Sequence, residues 1–236
     1  PAEHPKTGEP LVIYCLMGSP DAIDGDLSDW NLGVLTPAVL DTEEQLHSGQ
    51  DSWDNPEDIS GEFYLLWDDE NIYIAVLVKD DKLSMNKSGG NIWNADCIEV
   101  FFATTNAVAG HDEHYQYGFN ANEQKWNWCN MDGNGSIEPD YLQIASSQTA
   151  DGYICEASVE YGQMLSLDFT EGNAIGLEPC LDDTDNGDCE LQMTWTGREA
   201  HDQSQGYGHM ILSSSGVTAV EVEDKLPLTW CVIKTQ

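Results

Sequence analysis

The sequence predicts an all-β fold, an antiparallel Greek-key β-sandwich of immunoglobulin-like or jelly-roll-like type, and three observations carry that expectation. Apolar and polar residues alternate with a period of two through many short runs. Gly, Asn, Asp and Pro interrupt those runs at regular intervals. No strand–helix–strand rhythm appears anywhere along the chain.

Taken in order, LVIYCLM (11–17) opens the pattern. EFYLLW (62–67) and NIYIAVLVK (71–79) follow as a hairpin around Asp68-Asp69-Glu70. Next come DCIEVFF (96–102), HYQYGFN (114–120), YLQIAS (141–146), GYICEASVEY (152–161), AIGLEPCL (174–181), CELQMTW (189–195) and GHMILS (208–213). VTAVEVE (217–223) and PLTWCVI (227–233) close the series. Only 41–48 and 161–167 have the composition of a helical turn. In GYICEASVEY, Tyr153, Cys155, Ala157 and Val159 share one face, the mark of a half-buried strand. In DCIEVFF, Ile98, Val100 and Phe102 form the apolar face, leaving Asp96, and Glu99 on the opposite face, as candidates for a site or for solvent. With 236 residues, 40% of them hydrophobic, the chain reads as a single sandwich domain over 1–236. Its central part spans about 20–213, with terminal strands over 11–17 and 217–234.

Charge narrows the partners. Eight Lys and Arg face 43 Asp and Glu, a formal net charge of −35, and such a surface repels phosphates and anionic lipid. Neither nucleic acid nor membrane insertion is expected, and no apolar stretch is long enough to span a bilayer. The acids are dispersed among apolar residues, unlike an acidic disordered tail. Bound divalent cations would offset part of the self-repulsion. Seven cysteines without a C-x-x-C pair point to disulfides in an oxidising compartment. Cys180 and Cys189 flank the loop LDDTDNGD, while Cys15 and Cys231 lie in apolar runs near the two termini, so the pairings Cys180–Cys189 and Cys15–Cys231 are expected. The odd count leaves a thiol free or intermolecular. The opening PAEHPKTGEP lacks an apolar leader core, as a mature secreted chain does, so a secreted, extracellular or cell-surface location is expected.

Motifs for catalysis are missing: there is no G-x-S-x-G, H-E-x-x-H or phosphate-binding glycine loop. The reading is of a protein that is not an enzyme. NMDGNGSI (130–137) resembles a calcium loop, with Asn130, Asp132 and Asn134 at alternating positions, Gly135 at the sharp turn and Ser136 beside it. Tyr141 takes the place of the bidentate glutamate, and no helices flank the loop, so an orthodox EF-hand is excluded. DDTDNGD (182–188) is a second acidic loop, with Asp182 and Asp185 as its ligand candidates. Calcium is therefore the expected cofactor.

Four segments together resemble the family 9 carbohydrate-binding modules attached to secreted enzymes: IDGDLSDW (23–30), YLLWDDENIYIAVLVKD (64–80), IWNADCIEVFF (92–102), and GYICEASVEY followed by AIGLEPCLDDTD. The resemblance implies a Greek-key sandwich with structural calcium and a sugar held between two tryptophan rings. It places Trp93 on one of those rings, Glu99 on the strand glutamate and Asn120 on the asparagine of the next strand. Gly118 stands where such modules carry an arginine, and Ala200 or His201 where the second tryptophan belongs. Trp53, Trp126 and Trp128 occupy loop-like contexts and offer a replacement platform. An indole face stacks on the C–H face of a sugar while flanking polar groups take the hydroxyls. The same Trp93 in a different role would cap one end of the core.

Three functions stay open at this stage. The first is a glycan- or polysaccharide-binding module. The second is an assembly subunit of an extracellular surface layer or filament, joined to copies of itself or to other subunits through edge strands or the odd cysteine. The third is a b-type haem domain drawing on His209, Met210 or Met193.

Overall fold

The computed structural model describes residues 1–105, 113–133, 135–185, 187–201 and 206–215. Among these the all-β expectation holds. The strands are β1 (Val12–Met17), β2 (Ala38–Leu40), β3 (Leu46–Ser48), β4 (Ile59–Trp67), β5 (Asn71–Asp80), β6 (Cys97–Ala103), β7 (His114–Phe119), β8 (Lys125–Cys129), β9 (Leu142–Gln148), β10 (Gly152–Glu160), β11 (Ala174–Asp183), β12 (Leu191–Thr194) and β13 (Gly208–Ser213). The remaining elements are short 3₁₀ turns.

These strands form one sheet in the order β8-β7-β6-β11-β13-β1-β4-β5-β10-β9, with β2 added to β4, β12 to β11, and β3 to β12. The sheet curls until its outer strands approach each other. Lys125 Nζ of β8 donates to the Leu142 carbonyl of β9, and Ser146 Oγ donates to the Ala121 carbonyl at 2.8 Å. The result is a flattened near-barrel with two facing layers. The expectation of a purely antiparallel sheet is corrected here: β1 runs parallel to both β13 and β4. Parallel neighbours need a long crossover, and residues 18–58 supply it between β1 and β4.

Alternation puts one apolar row of each strand inside. Ile98, Val100 and Phe102 of β6, Tyr115, Tyr117 and Phe119 of β7, Ile72, Ile74, Val76 and Val78 of β5, and Tyr153, Cys155, Ala157 and Val159 of β10 belong to one buried cluster. A smaller apolar cluster lies on the outer face, where the stretch 20–35 covers β4 and β5: Trp30 packs with Tyr64, Leu66 and Ala75. Gly25 makes that approach possible. It sits at φ +82, and a Cβ there would meet the Ser146 carbonyl group at under 3 Å.

The strands expected from alternation all appear within the described residues; 217–223 and 227–233 lie outside them. Three strands were not expected. β2 and β3 are too short to show a period, and KWNWC, read as loop, forms β8. The stretch 41–48 gives a single 3₁₀ turn, Glu43–Gln45, before β3, and 161–167 gives another, Tyr161–Gln163.

Candidate functional site

Two groups of functional residues emerge at the β6–β7–β11 side of the fold. On the outward face of the sheet, Glu99 of β6 sits between Gly118 of β7 and Cys180 of β11. Gln116 Nε2 donates to Glu99 Oε2 at 2.8 Å and lies 3.3 Å from His201 Nε2. Gln192 Nε2 donates to Asp182 Oδ1 at 2.6 Å. Burial pushes Glu99 up to about 7. It raises Asp182 as well, helped by the charge of Glu99. The face is thus a buried polar layer in which two carboxyls are backed by two glutamines.

Trp93 is carried on the 3₁₀ turn Gly89–Asn94, which packs against β6, β7, β8 and β11. Its neighbour Ile92 is fully buried while Trp93 is 42% exposed. Glu99 and Asn120, expected as hydroxyl contacts, are each 1% exposed. Asn120 Oδ1 accepts from the backbone of Asn122 and Gln124 at 3.1 and 3.2 Å, shaping its own turn. His201 packs edge-on against Phe101, with centroids 5.7 Å apart, and Ala200 is buried. Trp53 Nε1 donates to the Ile59 carbonyl at 3.0 Å, and its ring packs on the main core. Trp126 and Trp128 project from β8 toward the Gly89-Gly90 dipeptide.

The second group is a cluster of carboxylates. Asp80 at the end of β5, Asp96 at the entry to β6 and Asp183 at the end of β11 are buried, with one oxygen of each within 4.8 Å of the others. Asp96 accepts from Ser84 N, and from Thr184 N at 3.0 Å. Asp80 Oδ1 accepts from Lys82 N at 2.8 Å, whereas its Oδ2 is buried without a partner. Burial, followed by the charge of Asp96, pushes Asp80 up to about 7. Burial raises Asp96 to about 6. Burial, then Asp80 and Asp96, takes Asp183 to about 8. Three hard oxygen donors with mutual repulsion and no internal neutralisation fit a divalent cation such as calcium, in which flexible carboxylate ligands predominate.

The ligand residues expected from sequence are placed differently. Asp132 Oδ1 accepts from Ser166 Oγ at 2.8 Å, and its Oδ2 accepts from Leu165 N at 2.8 Å and from the Tyr115 hydroxyl. Asn130 Oδ1 accepts from Asp132 N at 2.9 Å. Ser136 sits at φ +63, and Asn134 lies outside the described residues. The loop is an anchor for the start of β7, and its carboxylate is filled by protein donors. Asp182 faces Glu99, because adjacent strand residues point to opposite sides, and Asp183 takes the cluster position in its place. Asp185 lies close enough to add its charge to all three clustered carboxyls. Alternation had flagged Asp96, while Asp80 and Asp183 were hidden because the cluster forms only when three distant strand ends meet.

Cysteine and haem expectations are corrected too. Cys180 and Cys189 are both free thiols, with Cys180 on the buried polar layer and Cys189 Sγ donating to the Leu191 carbonyl at 3.2 Å. Cys15 is a buried thiol, and Cys231 lies outside the described residues. Met210 and Met193 are core residues, and His209, next to Met210 on β13, points outward, so these three side chains are not gathered on one centre.

A family model of the carbohydrate family 9 binding domain-like type matches residues 35–215. The chain belongs to that family. Within it, the family 9 fold recurs in a carbohydrate-binding module from Caldicellulosiruptor kristjanssonii in complex with cellotriose. The TM-score is 0.67 at 21% identity, covering 88% of this chain and 96% of that one. The same module in complex with glucose matches at a TM-score of 0.61. Among curated proteins, Exoglucanase XynX of Acetivibrio thermocellus is 30% identical over 163 residues, and Endo-1,4-beta-xylanase A of Thermotoga neapolitana is 30% identical over 156. The match takes in 65% and 64% of this chain but only 14% and 13% of those enzymes. The family 9-like chain therefore corresponds to a small part of each.

Proposed function

We propose that this family 9 domain is a non-catalytic glycan-binding module, stabilised by calcium and working outside the cell. One observation carries the reading: Trp93 presents an exposed indole on a turn packed against the strands of the polar, carboxyl-bearing layer, in a fold of carbohydrate-binding type. Sugar C–H faces stack on such rings, and the ring supplies most of the contact area. The first ligands to try are those named for the structural relatives, cellotriose and glucose. The relatives among glucanases and xylanases support a role in holding an enzyme or assembly on polysaccharide. Calcium is assigned to Asp80, Asp96 and Asp183, whose unpartnered oxygen and shared repulsion a cation would relieve.

Isothermal titration of cellotriose, glucose and xylo-oligosaccharides tests this, on wild type and on Trp93→Ala, in millimolar calcium. Wild type is expected to bind, and the variant to keep its melting temperature while losing at least tenfold in affinity, since aromatic anchors carry about 2 kcal/mol or more. A wild-type protein that binds none of these sugars ends the proposal.

A further inference from the structure

We infer that Trp126 and Trp128, on edge strand β8, are positioning residues of the glycan site, holding the turn that presents Trp93. The inference rests on the glycan reading above and adds to it two residues that belong to a different strand. Trp126 and Trp128 are two apart in β8 and project to the same side, while Asn127 between them is fully buried on the other. Both rings converge on one dipeptide, Gly89-Gly90, the first residues of the Trp93 turn.

The contacts are close and directional. Trp128 Nε1 donates to the Gly90 carbonyl at 2.9 Å. The Trp126 ring lies 3.3 Å from where a Cβ of Gly90 would stand and 3.7 Å from that of Gly89. Gly89 is at φ +59, a conformation that few other residues adopt. Trp128 reaches this position only because Gly118 has no side chain: its ring atoms lie 2.3 and 2.4 Å from an ideal Cβ at Gly118. The turn is fixed again further on. Ile92 is buried in the protein, and Asn94 binds Asp188 Oδ1 at 2.9 Å and Cys189 N at 3.0 Å. Trp93 lies between those two anchored residues and has one direction left, outward. Among the described strands β8 pairs only with β7, and its other edge carries a single bridge from Asn127 to Ile137, which involves neither indole. Their common target is the base of the platform, and the empty Gly118 position is what admits them.

The test uses the full chain labelled with 5-fluorotryptophan, in calcium, with the Trp93 fluorine signal assigned by its loss in Trp93→Phe. In Trp128→Ala, the Trp93 signal is expected to shift or broaden, and cellotriose affinity to fall about tenfold or more. Trp128→Phe, which keeps a ring but loses the N–H donor, is expected to lie between. Because Trp128→Ala also removes packing, a second variant, Gly118→Leu with Trp128→Ala, refills the space without restoring the hydrogen bond. It should recover melting temperature but not affinity. The inference is overturned if the Trp93 signal stays in place in Trp128→Ala. It is equally overturned if the signal moves with no change in affinity, or if the double variant regains both stability and binding. A wild-type protein that binds no cellotriose sinks the glycan reading, and the fluorine signal still decides on its own whether β8 holds Trp93.

Discussion

Trp30 Nε1 donates to Glu156 Oε1 at 2.5 Å, and the other oxygen of the same carboxylate accepts from Asp24 N and Gly25 N. One strand residue therefore holds both ends of the IDGDLSDW segment against the outer face of β10. Trp30 is 2% exposed and Glu156 is fully buried. Replacing Trp30 by Phe keeps the ring and leaves one carboxylate oxygen without its donor, which costs about 1.5–3 kcal/mol. Urea denaturation measures the loss, and amide exchange across 24–30 should quicken in the variant well before global unfolding. Unchanged exchange in that segment would remove Glu156 from this role.

The clustered acids set a pH dependence whose sign is fixed. Asp80, Asp96 and Asp183 are raised to about 7, 6 and 8, first by burial, with neighbouring carboxylates adding to the shift. Groups raised in the folded state leave stability intact below their unfolded value near 4 and erode it as pH climbs through the folded values. In EDTA the melting temperature should therefore fall between about pH 4 and pH 8. Calcium at a hundred times its Kd adds about 2.7 kcal/mol, and the gap between calcium and EDTA melts should widen from pH 5 to pH 8. Asp183→Asn should narrow it. Melts that coincide at pH 8 would refute a cation at this cluster.

The loop around Asp132 allows a sharp distinction between anchor and ion site. Asp132→Ala strands the Tyr115 hydroxyl and removes the contacts to Ser166 and Leu165. A loss of about 1–3 kcal/mol is expected, equal in EDTA and in calcium. A loss seen only in calcium would return this loop to the role of cation ligand.

Gly152 opens β10 at φ +147, and a Cβ there would lie 2.1 Å from the Val78 carbonyl oxygen of the paired strand. Gly152→Ala is expected to destabilise by about 1–3 kcal/mol. It should leave the Trp93 turn, and sugar binding at saturating calcium, unchanged. Thermal melts and titration read the two effects separately.

Much of the architecture was legible because each long strand alternates cleanly and turn residues separate them, as in 62–67, 71–79 and 152–161. What escaped depends on neighbours distant in sequence. Residues 125–129 form a strand because β7 offers an edge; the alternation of Trp126, Asn127 and Trp128 is too short to mark a strand by itself. Asp183 takes the cluster position expected of Asp182, since a run of acids says nothing about which member faces inward until the register is set. Glu99 and Asn120 were found as polar residues of the right strand, but their burial follows from the packing of 197–201 and the turn at 120–124 above them. Trp93 was legible as exposed because two glycines precede it. The reason those positions must be glycine lay in β8.

The position of β1 has a consequence for how the chain acquires its shape. β1 runs beside β4 on one side and β13 on the other, so an early strand of this domain has one of its hydrogen-bonding edges satisfied by the last described one. Until 208–213 is synthesised, the backbone of 12–16 is an unprotected edge carrying Ile13 and Cys15. Pairings of such long sequence separation form slowly and leave apolar edges open to other chains. A nascent domain truncated before β13 is thus expected to be a species for chaperones rather than a smaller version of the module, and its yield should depend on synthesis running through 208–213.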